Sequence, residues 1–305
     1  MKILVATEKP FAAAAVKGIT EEIQKAGAEL VLLEKGTKAD LIEAVKDVDG
    51  LIVRSDIVDA EVLNAAKSLK VVVRAGAGYD NIDLATAKAN GVCVMNTPGQ
   101  NSNAVAELVF GMLVTMARNQ YDGTSGFELK GKTLGIQAFG QVGRNVARIA
   151  KGFGMKVSAL DPWVKDEAME AEGVTPVHDI KELYTNNQFV SLHIPATPET
   201  KKSINAALVS LMPKKGVLIN TARKEIIDEE SLIGLLAERE DMMYISDIKP
   251  DAADKFKEVA DKRVFFTPKK MGAQTAEANI NAGIAAAKQV ILNLTEGWNK
   301  FQVNK

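Results

Sequence analysis

Short runs of apolar residues recur along the chain at near-regular spacing, separated by stretches rich in charge, glycine and proline. A first group is ILVA (3–6), ELVLL (29–33), LIVR (51–54), VVVRA (71–75) and VCVM (92–95). A second group is TLGIQA (133–138), KVSAL (156–160), FVSLHI (189–194), VLIN (217–220), MYISD (243–247) and VFFT (264–267). Most are four to six residues long and rich in valine and isoleucine, which suits strands covered on both faces. Between them lie helix-like stretches such as 10–26, 38–46 and 143–154. Strands alternating with helices predict an α/β chain with two Rossmann-like, doubly wound parallel-sheet domains. A long helix-like segment, 103–118, joins the groups, and another, 274–297, follows the last strand. If that last helix returns to the first group, the first domain is discontinuous.

The totals narrow the function classes. The chain has 305 residues, enough for two domains of ordinary size. Its net charge of −1 excludes a global pull toward nucleic acid or an anionic membrane. The opening MKILVAT is too short for a signal segment and reads as a strand. The longest apolar stretch, 104–117, carries Glu107 and falls short of a membrane span. One cysteine, Cys93, excludes an internal disulfide framework and fits a reducing compartment, so a cytoplasmic location is expected. Cys93 itself reads as a small buried hydrophobe within a strand. No His/Cys/carboxylate cluster has metal-ligand spacing, and no metal is expected.

The segment TLGIQAFGQVGRNVARIAKGFGMKVSALD carries the clearest local chemistry. A strand runs into the turn Ala138, Phe139, Gly140, Gln141, Val142, Gly143, then a helix, then a second strand ending at Asp161. Gly140 lets the backbone approach a pyrophosphate, and Gly143 lets the helix lie close to the strand. The helix N-terminus offers unpaired N–H groups to the phosphates. Asp161 stands where an acid accepts both ribose hydroxyls and repels a 2′-phosphate, which favours NAD over NADP. The pattern departs from the common fingerprint at Ala138, where the first glycine usually stands.

Ligands meet the carboxyl ends of the strands in such sheets. Arg223 follows VLIN, and His193 follows FVSL. Lys269 and Lys270 follow VFFTP, and the glycine-rich AGAG turn follows VVVR. Alone, a Lys-Lys pair is surface solvation. Read together, RAGAGYDNID (74–83), NTPGQNSNAVAEL (96–108), LKGKTLGI (129–136), LHIPATPET (192–200) and MPKKGVLINTARKEIIDEESL (212–232) resemble the D-isomer-specific 2-hydroxyacid dehydrogenases, in order and spacing, over nearly the whole chain. Within the family, Arg54-Ser55 and Asn101 look like the phosphoglycerate dehydrogenases of serine synthesis.

The resemblance implies a substrate-binding lobe of 1–97 plus 285–305, an NAD-binding lobe of 98–284, a cleft between them and a homodimer formed through the second lobe. It implies that Arg223 clamps the substrate carboxylate and that Arg54 holds a phosphate. Ser55, Ala75, Gly76, Ala77, Gly78 and Asn101 complete the implied substrate site. His193, Ile194, Pro195, Thr221, Ala222, Asp247 and Gly272 join the turn and Asp161 around NAD.

The chain departs from the family where protons move. The family's histidine after the last strand is replaced by lysine, and no glutamate survives in the shortened loop SDIKPDAADK. Counting from TP selects Lys269, while counting back from MGAQT selects Lys270. A histidine base works best beside a carboxylate. A lysine, starting near a pKa of about 10.4, needs a neighbouring cation or burial instead. The paired losses therefore predict a lysine acid–base near Arg223, with Asp251 a weak candidate for an assisting acid. His193 competes for the role, and His178 reads as a surface residue before a helix capped by Asp179.

The expected activity is oxidation of D-3-phosphoglycerate by NAD. The rivals are a hydroxypyruvate or glyoxylate reductase and a catalytically weak NAD-sensing regulatory protein.

Overall fold

Every apolar run read as a strand is a strand in the computed structural model, which describes residues 1–305. One unit comprises Met1–Asn101 and Gln274–Lys305. Its five strands are β1 (Lys2–Thr7), β2 (Glu29–Glu34), β3 (Gly50–Val53), β4 (Val71–Arg74) and β5 (Cys93–Asn96). They are parallel, in the order β2-β1-β3-β4-β5. The strand order reverses between β1 and β3, so the loops after these two strands diverge and leave a crevice at their carboxyl ends.

The C-terminal helix Ala276–Glu296 belongs wholly to this unit, so the return begins at Gln274 rather than at 285. Small residues explain the difference. A Cβ on Gly18 would meet Ile284 at 2.6 Å, and one on Gly283 would meet Ile19 at 2.9 Å. The helix therefore already lies tight against Ala13–Lys25 at residues 283 and 284, ahead of 285. Ile19 and Ile23, four apart on that helix, are fully buried, and each such side chain contributes about 1.5–3 kcal/mol. Thr275 caps the C-terminal helix through Ala278 N–H at 3.1 Å, and left-handed Gly297 ends it. The other boundary falls at Asn101, because the helix Ser102–Ala117 starts the next unit.

That unit, Ser102–Ala273, holds seven strands: β6 (Thr133–Gln137), β7 (Lys156–Leu160), β8 (Thr175–Pro176), β9 (Phe189–Leu192), β10 (Val217–Asn220), β11 (Met243–Ser246) and β12 (Val264–Phe266). All are parallel, in the order β12-β11-β10-β9-β6-β7-β8. The order reverses between β6 and β9, which sets the carboxyl ends of these two strands at the crevice. β8 escaped the sequence reading because two residues carry no periodicity.

β12 is short, and two devices fix it. Tyr244, Phe256 and Phe266 meet pairwise with ring centroids 5.4–5.7 Å apart. The Arg263 guanidinium donates to the carbonyls of Leu236, Arg239, Met242 and Val259 at 2.9–3.2 Å. The segment that follows β12 is thereby aimed by a rigid base.

Candidate active site

In the larger unit, the chain leaves β6 through Ala138, which adopts the left-handed φ of 78°. A glycine would do this without strain, which is why that residue is usual here. Gly143 is compulsory, since a Cβ there would meet the Ala138 carbonyl oxygen at 2.4 Å. Gly140 has nothing within 4 Å of a built Cβ, so the backbone is open to a bulky phosphate. The helix Gln141–Gly152 starts here with no acidic residue in its first turn, leaving its N–H groups and dipole for an anion. Gln141 is exposed and Val142 half-buried.

Asp161 leaves β7 and turns back onto this loop. Its Oδ2 accepts from Phe139 N–H at 2.8 Å and its Oδ1 from Trp163 N–H at 2.9 Å. Each oxygen keeps a second lone pair for a hydroxyl donor. This arrangement fits the pyrophosphate and adenosine ribose of a dinucleotide.

His193 follows β9. Its Nε2 lies 2.9 Å from Ser191 Oγ and its Nδ1 lies 3.4 Å from Thr221 Oγ1. Desolvation pushes its pKa down to about 3, although the residue keeps some accessible surface. A neutral ring held by two hydroxyls is a poor proton shuttle. Ile194 lies against the unit's core, and Pro195 accepts from Thr200 Oγ1 at 2.7 Å. His178 is exposed and meets Asp166 at 3.1 Å, and Asp179 caps the next helix through Lys181 N–H.

The turn after β10 is fixed by its own asparagine. Asn220 accepts from Ala222 N–H at 2.9 Å and donates to the Arg223 carbonyl at 3.0 Å. Thr221 and Ala222 are buried within it. Arg223 Nη1 donates to the Ala222 carbonyl at 2.9 Å, and Lys270 Nζ donates to the same oxygen at 3.3 Å. Lys270, rather than Lys269, is therefore brought to Arg223, although both lysines are exposed.

Asp247 sets this register. Its carboxylate accepts from Met271 N–H at 2.7 Å, Gly272 N–H at 2.8 Å and Thr267 Oγ1 at 3.1 Å. Asp251, weighed as an assisting acid, pairs instead with Lys224 at 2.6 Å.

In the smaller unit, Arg54 follows β3 and lies 5.9 Å over the Phe11 ring. Burial pushes its pKa down, the signature of a cation held partly out of water. Arg74, at the end of β4, donates from Nε to the Arg54 carbonyl at 3.0 Å and lies across Gly76. Sequence reasoning passed over Arg74, whose only signal was a charge closing a buried strand beside the glycine-rich turn.

That turn offers fewer donors than expected. Ala75 N–H is used by Val53 and Gly76 N–H by Arg74, leaving Ala77 and Gly78 to present amides. Asn101 ends the unit. Cys93 opens β5 and is only partly buried against the unit's core, where desolvation raises its thiol pKa. Ser55 Oγ, Asp56 Oδ2 and Thr97 Oγ1, after β3 and β5, are buried without hydrogen-bond partners. Orphans at the carboxyl ends of two strands of one sheet are groups that a polar ligand would satisfy.

A family model described as D-isomer specific 2-hydroxyacid dehydrogenase, NAD binding domain, matches residues 106–269. The chain is 38% identical over 276 residues to D-3-phosphoglycerate dehydrogenase of Methanocaldococcus jannaschii, covering 83% of this chain and 51% of that protein. It thus spans about half the length of that relative. It is 35% identical to hydroxypyruvate reductase of Thermotoga maritima, covering 84% of this chain and 88% of the other. The crystal structure of NAD+-bound 3-phosphoglycerate dehydrogenase in Entamoeba histolytica superposes with a TM-score of 0.88 at 50% identity, over 100% of this chain and 99% of that one.

Proposed function

We propose that this chain, which belongs to the D-isomer specific 2-hydroxyacid dehydrogenase family, oxidises D-3-phosphoglycerate to 3-phosphohydroxypyruvate, the first step of L-serine biosynthesis. The observation that carries this reading is the pairing of Lys270 and Arg223 on the Ala222 carbonyl, in a unit matched to the family's NAD binding domain. Arg223 binds the substrate carboxylate and polarises the C2 oxygen through its planar fork of donors. Lys270, as the neutral amine, takes the hydroxyl proton while the C2 hydrogen leaves as hydride. The 138–143 turn and Asp161 would hold NAD+, which would supply the hydride acceptor when bound.

Two cations on one oxygen repel each other, and loss of a proton from Lys270 relieves that repulsion. A lysine beside a guanidinium is the reading that suits a chain with lysine where the family has histidine. In the reverse direction, the protonated amine donates to the forming alkoxide. Arg54 selects the phosphate. The same reading includes a homodimer formed through the larger unit, checked by light scattering, and a cytoplasmic location. No helix is long and apolar enough to cross a membrane.

The similarity to a hydroxypyruvate reductase favours one second reading, reduction of an unphosphorylated 2-keto acid. NADH formation from D-3-phosphoglycerate, compared with D-glycerate, decides between them. Turnover confined to the phosphorylated substrate supports the proposal, and preference for D-glycerate overturns it.

A further inference from the structure

The chain carries two tryptophans, and they are used in opposite ways. Trp298 lies edge-on to Phe301 with ring centroids 5.5 Å apart, against the core of the smaller unit. Trp163 is 92% exposed. An indole this bare gains nothing from the core and leaves a large apolar face in water.

Its backbone is held firmly. Trp163 N–H donates to Asp161 Oδ1 at 2.9 Å, and Val164 N–H donates to the Asp161 carbonyl at 3.3 Å. Val164 then turns inward against the unit's core. The other Asp161 oxygen is tied to Phe139 in the phosphate-binding turn. A short anchored loop thus displays one aromatic side chain two residues from the acid that faces the ribose. The base of a nucleoside is bonded directly to that ribose, so it must lie close to this loop.

We infer that Trp163 is a stacking surface for the adenine ring of the dinucleotide, adding affinity for the adenosine half beyond what Asp161 gives through the ribose. This rests on the assignment of NAD to the 138–143 turn. An aromatic face suits adenine because stacking needs no hydrogen-bond pattern. The ring contributes to binding and stays remote from hydride transfer, so its removal acts on the KM for NAD and spares kcat.

The test uses intrinsic fluorescence and calorimetry on the full chain. The probes are NAD, ADP-ribose, which keeps adenine and lacks nicotinamide, and nicotinamide mononucleotide, which lacks adenine. NAD and ADP-ribose should quench the emission, and the mononucleotide should not. Trp163→Ala should abolish most of the quench and raise the Kd for ADP-ribose about tenfold, while Trp163→Phe keeps most of the affinity. Trp298→Phe should retain both the quench and the affinity. Unchanged ADP-ribose affinity in Trp163→Ala overturns the inference and leaves the cofactor assignment standing. If that variant also dissociates an oligomer, the indole belongs to a protein interface instead. Wild-type protein that binds neither NAD nor ADP-ribose overturns the cofactor assignment, and this inference with it.

Discussion

Lys270 Nζ and Arg223 Nη1 donate to one oxygen, the Ala222 carbonyl, at 3.3 and 2.9 Å. The relationship separates two lysines that are adjacent in sequence. Lys270→Ala is expected to lower kcat for D-3-phosphoglycerate oxidation by about 100- to 10,000-fold, the usual worth of a positioned acid–base. Lys269→Ala should leave it nearly unchanged. Steady-state NADH formation measures both, and equal losses would sink the assignment.

Arg54 offers a half-buried cation where the smaller unit's strand order reverses. A charged hydrogen bond is worth about 1.5–3 kcal/mol, so Arg54→Ala should cut kcat/KM for the phosphorylated substrate roughly 10- to 100-fold. Turnover of D-glycerate should change little. A matched loss on both substrates would place Arg54 outside phosphate recognition.

Asp247 ties down two amides and a hydroxyl in the segment that carries Lys270. Asp247→Ala leaves the Met271 and Gly272 amides without their acceptor, at a cost of about 1–3 kcal/mol for each buried group, while the Thr267 hydroxyl keeps the residue 247 carbonyl at 2.7 Å. Both Tm and kcat should fall. Loss of stability with full activity would mean that the segment finds its register without the carboxylate.

His193 is neutral in the fold because its pKa is lowered to about 3 from the ordinary 6.5. The unfolded chain binds a proton there between those two values and the folded chain does not. Stability therefore falls as pH drops through that window, and the contribution is intact above it. His193→Asn should flatten the decline of Tm between pH 6.5 and about 4. An unchanged slope would show that the ring titrates alike in both states.

Ala138 sits at a φ of 78°. The left-handed region costs a residue with a Cβ about 1–2 kcal/mol, while glycine costs about 0.4–1 kcal/mol through unfolded-chain entropy. Relief of strain is the larger effect, so Ala138→Gly should raise Tm modestly. A fall in Tm would contradict the strained turn.

Much of this was legible because buried parallel strands advertise themselves as unbroken valine and isoleucine runs, as VVVR and VLIN do. Arg223 and Asp161 stand out as the first charged residues after such runs. The choice between Lys269 and Lys270 was not legible, because it depends on a carboxylate in a distant strand end pulling Met271 and Gly272 into place. Arg74 was missed because a charge closing a strand looks like ordinary solvation. Cys93 was misplaced because it opens β5, at the end of the sheet, where coverage is incomplete. The inward use of the Ala75 and Gly76 amides belongs to backbone geometry, which composition does not encode.

Asp161 braces the turn after β6 through Phe139 N–H, in addition to the ribose contact proposed for it. An evolutionary switch of coenzyme at this position meets a built-in conflict. A small apolar replacement admits the extra phosphate and at the same moment unties the cradle beneath it. A lineage drifting toward the phosphorylated coenzyme must keep an acceptor here, as asparagine does, and recruit its new cation elsewhere.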